Sequence, residues 1–132
     1  MASYLYVDDD RASRDVMRLL LGDVMGIKHY AILEPSGTIM DEIVALTPKP
    51  TIILLDIHMR PLNGFDLLKL MKSYPACRNC TIIALTASVM NEEVQQLKDA
   101  GFDGAISKPL DALTFPGLLE RISQGETIWH VA

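Results

Sequence analysis

The sequence predicts an α/β domain in which five parallel strands alternate with five helices, and three observations carry that reading. Apolar, largely β-branched runs without polar alternation, at residues 52–55 (IILL) and 81–85 (TIIAL), suit strands covered by helices on both faces. Segments with apolar residues at helical spacing separate the runs, in units of about 20 to 30 residues. Polar or charged residues then follow directly on several of the strands, at the edge where open α/β sheets gather their ligands.

Length and composition agree with one such domain. A chain of 132 residues buries roughly two-thirds of its unfolded surface on folding. Hydrophobic residues at 49% against 22% charged give the balance of a globular protein rather than a disordered one. With 17 acidic and 12 basic residues the net charge is -5, which offers no attraction to phosphate backbones or anionic lipid. Neither nucleic acid nor membrane is expected as a partner. The opening MASYLYVDDD lacks the basic start and long apolar core of a signal peptide, and no apolar run approaches the ~18 residues that cross a bilayer. A cytoplasmic location is expected. Cys77 and Cys80 form one C-x-x-C, but a structural zinc site needs two more ligands, and His29, His58 and His130 stand in separate segments. The pair reads as reduced loop thiols.

Taken in order, residues 4–7 (YLYV) form the first strand, which ends abruptly at Asp8, Asp9 and Asp10. Asp10 suits an N-cap for a helix from Arg11, with Ala12, Val16, Leu19 and Leu20 expected inward and Arg14, Asp15 and Arg18 outward, until Gly22 and Gly26 loosen it. Capping explains one acid well and three in succession poorly. Residues 29–33 suit a second strand, and Pro35-Ser36-Gly37 turns the chain into a helix over 38–46, stopped before Pro48. The third strand, 52–55, climbs to Asp56 and breaks into a loop marked by Pro61, Asn63 and Gly64. Phe65, Leu67, Leu68, Leu70 and Met71 then set out a helix ending near residues 73–75. The fourth strand, 81–85, delivers Thr86, Ala87 and Ser88. Its helix spans 89–100, with Met90, Val94 and Leu97 at helical spacing and Gly101 as C-cap. Residues 104–107 form the fifth strand and present Lys108 before Pro109; the last helix begins near Pro116, a favoured first-turn residue, and runs through Leu118, Leu119 and Ile122. From Gln124 onward, Trp129 included, no pattern assigns a structure or a role.

Because parallel strands point one way, Asp8, Asp9, Asp56, Thr86 and Lys108 converge on one edge of the sheet. Carboxylates held together repel one another and should not all ionise without a cation between them. Oxygen-only ligands with room for water or phosphate oxygens favour magnesium over calcium. With a hydroxyl and a lysine added, the set describes a receptacle for a phosphoryl group, in which Asp56 is the nucleophile while Mg²⁺ and Lys108 balance the added charge. Taken singly, Lys108 reads as a solvated lysine and Thr86 as a strand-end or cap residue. The joint pattern does not.

With VDDD at residues 7–10, LLDIHM at 54–59, Gly64 eight residues beyond Asp56, ALTA at 84–87 and Lys108-Pro109, the chain resembles the receiver domain of two-component response regulators from Tyr4 to about Ile122. The resemblance implies the chemotaxis-type (βα)5 fold, a flavodoxin-like three-layer sandwich with strand order 2-1-3-4-5. It divides the chain into a receiver domain at 1–124 and a short tail at 125–132, with no output domain. It implies that Asp56 accepts phosphate from a sensor histidine kinase or a histidine phosphotransfer protein. Asp8, Asp9, Asp56 and the backbone carbonyl of His58 would hold Mg²⁺, while Thr86, Ala87 and Lys108 hold the phosphoryl oxygens and Lys108-Pro109 is a cis peptide. The signal would pass by contact with a downstream protein, and the chain would catalyse only its own phosphorylation and dephosphorylation.

Two departures from the family pattern stand out, and His58 is a third position of interest. Arg60 stands where the family usually has proline, with Pro61 one later, so the loop beside the site is expected to bend differently. Ala105 occupies the switch position three before Lys108, where an aromatic ring is usual, so the familiar coupling of Thr86 to a rotating ring cannot operate. His58 flanks the path of an incoming water or donor, where it would tune dephosphorylation. Ala105 is also the feature that favours an alternative reading, a phosphorylation-independent interaction or scaffold module. An aspartate-nucleophile phosphatase wants a second acid two residues after the nucleophile, where this chain has His58, and no G-x-x-x-x-G-K-[ST] of a P-loop occurs.

Overall fold

Strands β1 (Tyr4–Val7), β2 (Tyr30–Leu33), β3 (Ile52–Asp56), β4 (Thr81–Thr86) and β5 (Gly104–Ser107) lie parallel in the order β2-β1-β3-β4-β5, as the resemblance implied. The computed structural model describes residues 2–87 and 90–130. Ser88 and Val89, where the fourth strand was expected to hand over to its helix, lie outside them. The apolar runs fill the middle of the sheet: every residue of β1 and β3 is buried.

Five helices cover the two faces. Helices α1 (Arg11–Arg18) and α5 (Phe115–Ser123) pack Met17, Phe115, Leu119 and Ile122 against Tyr6, Leu54, Leu85 and Ile106. On the other face α2 (Ile39–Val44), α3 (Gly64–Lys72) and α4 (Asn91–Ala100) pack Ile39, Ile43, Leu67, Leu68, Met71 and Leu97 against Leu5, Val7, Ile53, Leu55, Ala84 and Ala105. The helix ends follow the sequence. Asp10 caps α1 by accepting from the Ser13 amide at 2.9 Å, Asn63 and Asp66 form a capping box on α3, and Gly101 ends α4 in the left-handed conformation with φ 103°.

The inner face of α1 differs from the expectation. Ala12, Val16 and Leu19 face outward, with Val16 47% and Leu19 55% exposed, whereas Arg14, Met17, Leu20 and Leu21 are buried. Two physical causes account for it. Arg14 turns inward because its guanidinium has partners there, and α1 runs on into a π-helical stretch, Leu19–Val24, whose wider turn brings the adjacent Leu20 and Leu21 both inward. Met90 is likewise 60% exposed rather than packed beneath α4.

The segment after residue 124 returns to the sheet. A sixth strand, β6 (Trp129–His130), pairs in parallel with β5, setting Trp129 opposite Ala105. The Ala105 amide donates to the Ile128 carbonyl at 3.0 Å. Gly104 lies so close to that same carbonyl that a Cβ would collide with it. Cys77 and Cys80 are both free. Cys77 follows Pro75 and Ala76 in a short 3-10 turn, and the Cys80 thiol donates to the Pro50 carbonyl at 3.1 Å. Burial pushes Cys80 up to about 11 and raises Cys77 as well, so neither is poised as a thiolate at neutral pH.

Candidate functional site

Alternation along a strand decides which side chains meet at the carboxyl edge. Tyr6 and Asp8, Leu54 and Asp56, Ile106 and Lys108 are pairs two apart, and Tyr6, Leu54 and Ile106 all belong to the core under α1 and α5. Asp8, Asp56 and Lys108 therefore emerge on that side. Carboxylate oxygens of Asp8, Asp9 and Asp56 lie within 4.8 Å of one another. The Lys108 ammonium sits 3.1 Å from Asp56 Oδ1 and 3.4 Å from Asp8 Oδ2.

Asp8 is the most constrained of the three. The Tyr6 hydroxyl donates to its Oδ2, and the Asp10 amide donates to its Oδ1 at 2.9 Å. Its carbonyl accepts from the Arg14 guanidinium at 3.0 Å, and that guanidinium also pairs with Glu34 at 2.8 Å. Asp9 is exposed and accepts from the backbone amide of Arg60 at 3.0 Å, which ties the loop after β3 to the end of β1. Tyr6 and Arg14 escaped the sequence reading. The period-two position of Tyr6 beneath Asp8 was the available signal; Arg14 offered none, because a charged helix residue reads as outward.

Thr86 closes β4 and is buried, and by the same alternation it follows Ala84 toward the α4 side of the sheet. Its carbonyl accepts from the Lys108 amide at 2.8 Å, so the strand ends that carry the hydroxyl and the lysine are joined directly. Ala87 is exposed beside it, and His58 is exposed in the loop after β3. Ala105 is fully buried beneath α4. The Lys108-Pro109 bond is cis, as is Arg60-Pro61 in the loop where proline stands one residue later than usual. Gly64 opens α3 against the base of the site: a Cβ there would lie 2.8 Å from the Asp56 carbonyl oxygen and 2.8 Å from Ile57 Cδ1.

Burial holds the Asp56 carboxyl above its ordinary range, and the neighbouring Asp8 charge adds to the rise; Lys108 opposes both without cancelling them. For Lys108, burial alone would lower the ammonium, but its pairs with Asp56 and Asp8 outweigh burial and raise it. The folded protein thus binds a proton on Asp56 more readily than the unfolded chain, whose carboxyl titrates near 3.8. The resulting penalty is absent below that pH, grows as pH rises through the folded value and is fully present at neutrality. Asp56→Asn is therefore expected to raise the urea midpoint of the metal-free protein at pH 7, with the gain vanishing in acid. Urea unfolding of both proteins across pH checks this, and an equal or lower stability of the variant at pH 7 contradicts it.

The oxygen-only set of Asp8, Asp9 and Asp56 fits a hard divalent cation. Among known proteins, a family model for the response regulator receiver domain matches residues 4–120. The chain belongs to this family. This receiver domain is 32% identical over 111 residues to a nitrate/nitrite response regulator protein homolog of Haemophilus influenzae, covering 78% of this chain and 52% of the relative. The chain thus spans about half the length of that relative. It is 30% identical over 119 residues to a 14.6 kDa protein of Leptolyngbya boryana, covering 89% of this chain and 86% of the other. The signal receiver domain of a DNA-binding response regulator from Colwellia psychrerythraea superposes with a TM-score of 0.79 at 23% identity, over 94% of this chain and 99% of that one, a likeness of fold. Among the described residues, no helix of the receiver is long and apolar enough to cross a membrane.

Proposed function

We propose that this receiver domain is a phospho-accepting signalling domain of a two-component phosphorelay, with Asp56 as the acceptor. The observation that carries the reading is a buried carboxylate with a lysine ammonium 3.1 Å away and oxygens of two further carboxylates within 4.8 Å. An oxygen of Asp56 attacks phosphorus, the N–P bond of a phosphohistidine breaks, and the imidazole leaves with the bonding electrons. The donor is a sensor histidine kinase or a histidine phosphotransfer protein, and the protein acts on itself alone.

Asp8, Asp9, Asp56 and the His58 backbone carbonyl are the groups that would hold Mg²⁺. Bound there, the ion neutralises charge gathering on the phosphoryl oxygens. Lys108, beside Asp56 and Asp8, would balance a second share of that charge, and the Thr86 hydroxyl with the Ala87 amide would bind the remaining oxygens. Tyr6, Arg14 and the Asp10 amide fix Asp8 in place beside Asp56 and Asp9. Output passes by protein contact, in the cytoplasm. A second reading, a phosphorylation-independent interaction module, is favoured by Ala105 alone.

Intact mass after incubation with Mg²⁺ and phosphoramidate separates the two. The expected result is a single phosphoryl increment that hydroxylamine removes and that Asp56→Asn lacks. No increment on a folded protein overturns the proposal in favour of the interaction module.

A further inference from the structure

Cys77 and Cys80 lie at the opposite edge of the sheet from the carboxylates, in the connection that feeds β4. That connection is a succession of tight turns. The Tyr74 carbonyl accepts from the Cys77 amide at 3.0 Å, the Pro75 carbonyl from the Arg78 amide at 3.2 Å, and the Cys77 carbonyl from the Cys80 amide at 3.2 Å. The last of these bonds decides what the two thiols can do. A four-residue turn keeps its first and last Cα atoms within ~7 Å, and a disulfide spans Cα atoms roughly 4.4–6.8 Å apart. The side chains meet as well: each thiol acts on the other through a side-chain hydrogen bond, so the sulfurs are neighbours before any bond joins them.

The two sulfurs differ in access. Cys77 is 4% exposed and packs in the core with Met71 and Ile82, whereas Cys80 is half-buried. Both line a cleft together with Lys72, Arg78 and Asp103. Its acid is engaged, since Asp103 Oδ2 accepts from the Ile82 amide at 2.8 Å. Lys72 and Arg78 form no ion pair among the described residues, so the cleft offers two cations to a ligand.

We propose that Cys77 and Cys80 are a reversible oxidation site, closed to an intramolecular disulfide by exchange with an anionic small-molecule disulfide such as oxidised glutathione. The inference is independent of the phospho-acceptor reading. Cys80, the more accessible thiol, loses its proton to water, and its sulfur attacks one sulfur of the small disulfide. That S–S bond breaks, and one small thiolate leaves and is protonated by water. The Cys77 sulfur, after losing its own proton to water, attacks Cys80 Sγ and expels the second small thiolate. Two protein thiols are oxidised and one external disulfide is reduced to two thiols. Lys72 and Arg78 meet the carboxylates of the incoming molecule. Closure withdraws the Cys80 thiol from the Pro50 carbonyl, to which it donates at 3.1 Å, so the change falls where β3 and β4 enter the sheet. Burial keeps both thiols protonated at rest, and the pair therefore registers a sustained oxidising poise rather than a brief one.

The test incubates the whole folded protein with oxidised glutathione, blocks remaining thiols with N-ethylmaleimide and reads intact mass. The expected product is a monomer two hydrogens lighter that takes up no maleimide, reverts with dithiothreitol and yields a peptide linked from Cys77 to Cys80. Cys77→Ala should stop with one glutathione on Cys80, and Cys80→Ala should react far more slowly, because Cys77 is buried. Lys72→Gln with Arg78→Gln should slow closure several-fold with oxidised glutathione and leave it unchanged with the uncharged hydroxyethyl disulfide. Two free thiols after incubation, a glutathione adduct that persists on the native chain, or a disulfide between two chains overturns the inference. Equal slowing with both small disulfides overturns the part assigned to the cleft cations.

Discussion

Lys108→Met is expected to destabilise the protein by about 2–3 kcal/mol at neutral pH without divalent cations, somewhat less than the ~3–5 kcal/mol for removing one partner of a fully buried ion pair. The side chains of Asp8 and Asp56 are 1% and 8% exposed, so water cannot replace the lost ammonium, although Lys108 itself is 24% exposed and the figure is set low for that reason. Methionine keeps most of the apolar stem, which separates lost charge from lost packing. Two further signs identify the cause. The deficit should shrink in acid, as Asp56 takes up its proton, and Mg²⁺ should stabilise the variant more than the native chain, because it finds carboxylates with no competing cation. Urea unfolding with and without Mg²⁺ at two pH values measures all three. A deficit independent of both pH and Mg²⁺ would mean that Lys108 acts through packing.

Gly64→Ala is expected to lower stability by about 1–3 kcal/mol, the scale of an overpacked core. The methyl would meet the Asp56 carbonyl oxygen at 2.8 Å and Ile57 Cα at 3.0 Å, and backbone atoms at the end of a central strand cannot swing aside as a side-chain tip can. Relief would come by moving α3 away from β3 or by tilting the peptide that carries Asp56. Chemical unfolding should therefore show a lower midpoint at unchanged slope, and uptake of phosphoryl from phosphoramidate should slow. A variant as stable as the native protein would show that the start of α3 yields freely. Phe65, the next residue of the same helix, packs edge-on to Phe102 with ring centroids 5.8 Å apart, so a displaced α3 would also disturb the layer under α4.

The parts of this arrangement that were legible in the sequence share one property: a residue type that would be costly anywhere else. Unbroken runs such as IILL at 52–55 make sense only between two helix layers, and a carboxylate directly after such a run marks the strand's exposed end. Asp10 and Gly101 were readable because caps demand particular residues. What escaped the sequence depends on partners distant along the chain. Arg14 lies inward because Glu34 and the Asp8 carbonyl meet it there, and no local pattern encodes that. Val16 faces outward because the inner stripe of α1 runs through Arg14 and Met17, and the π-helical stretch that begins at Leu19 buries Leu20 and Leu21 in its place. Tyr6 was read as a strand former when its hydroxyl also holds Asp8. The outer strand at Trp129 spans two of the described residues and follows a polar stretch, which offers no periodicity to read.

The direction of β6 settles a practical matter of attachment. It runs parallel to β5, so its carboxyl end points toward the edge that carries Asp56 and Lys108. A fluorophore carried at the end of β6, at His130, would sit at that carboxylate edge and crowd it. One joined ahead of Tyr4 enters from the opposite edge, since β1 begins there. For immobilisation, pull-down or labelling, the amino-terminal side leaves the carboxylate edge clear.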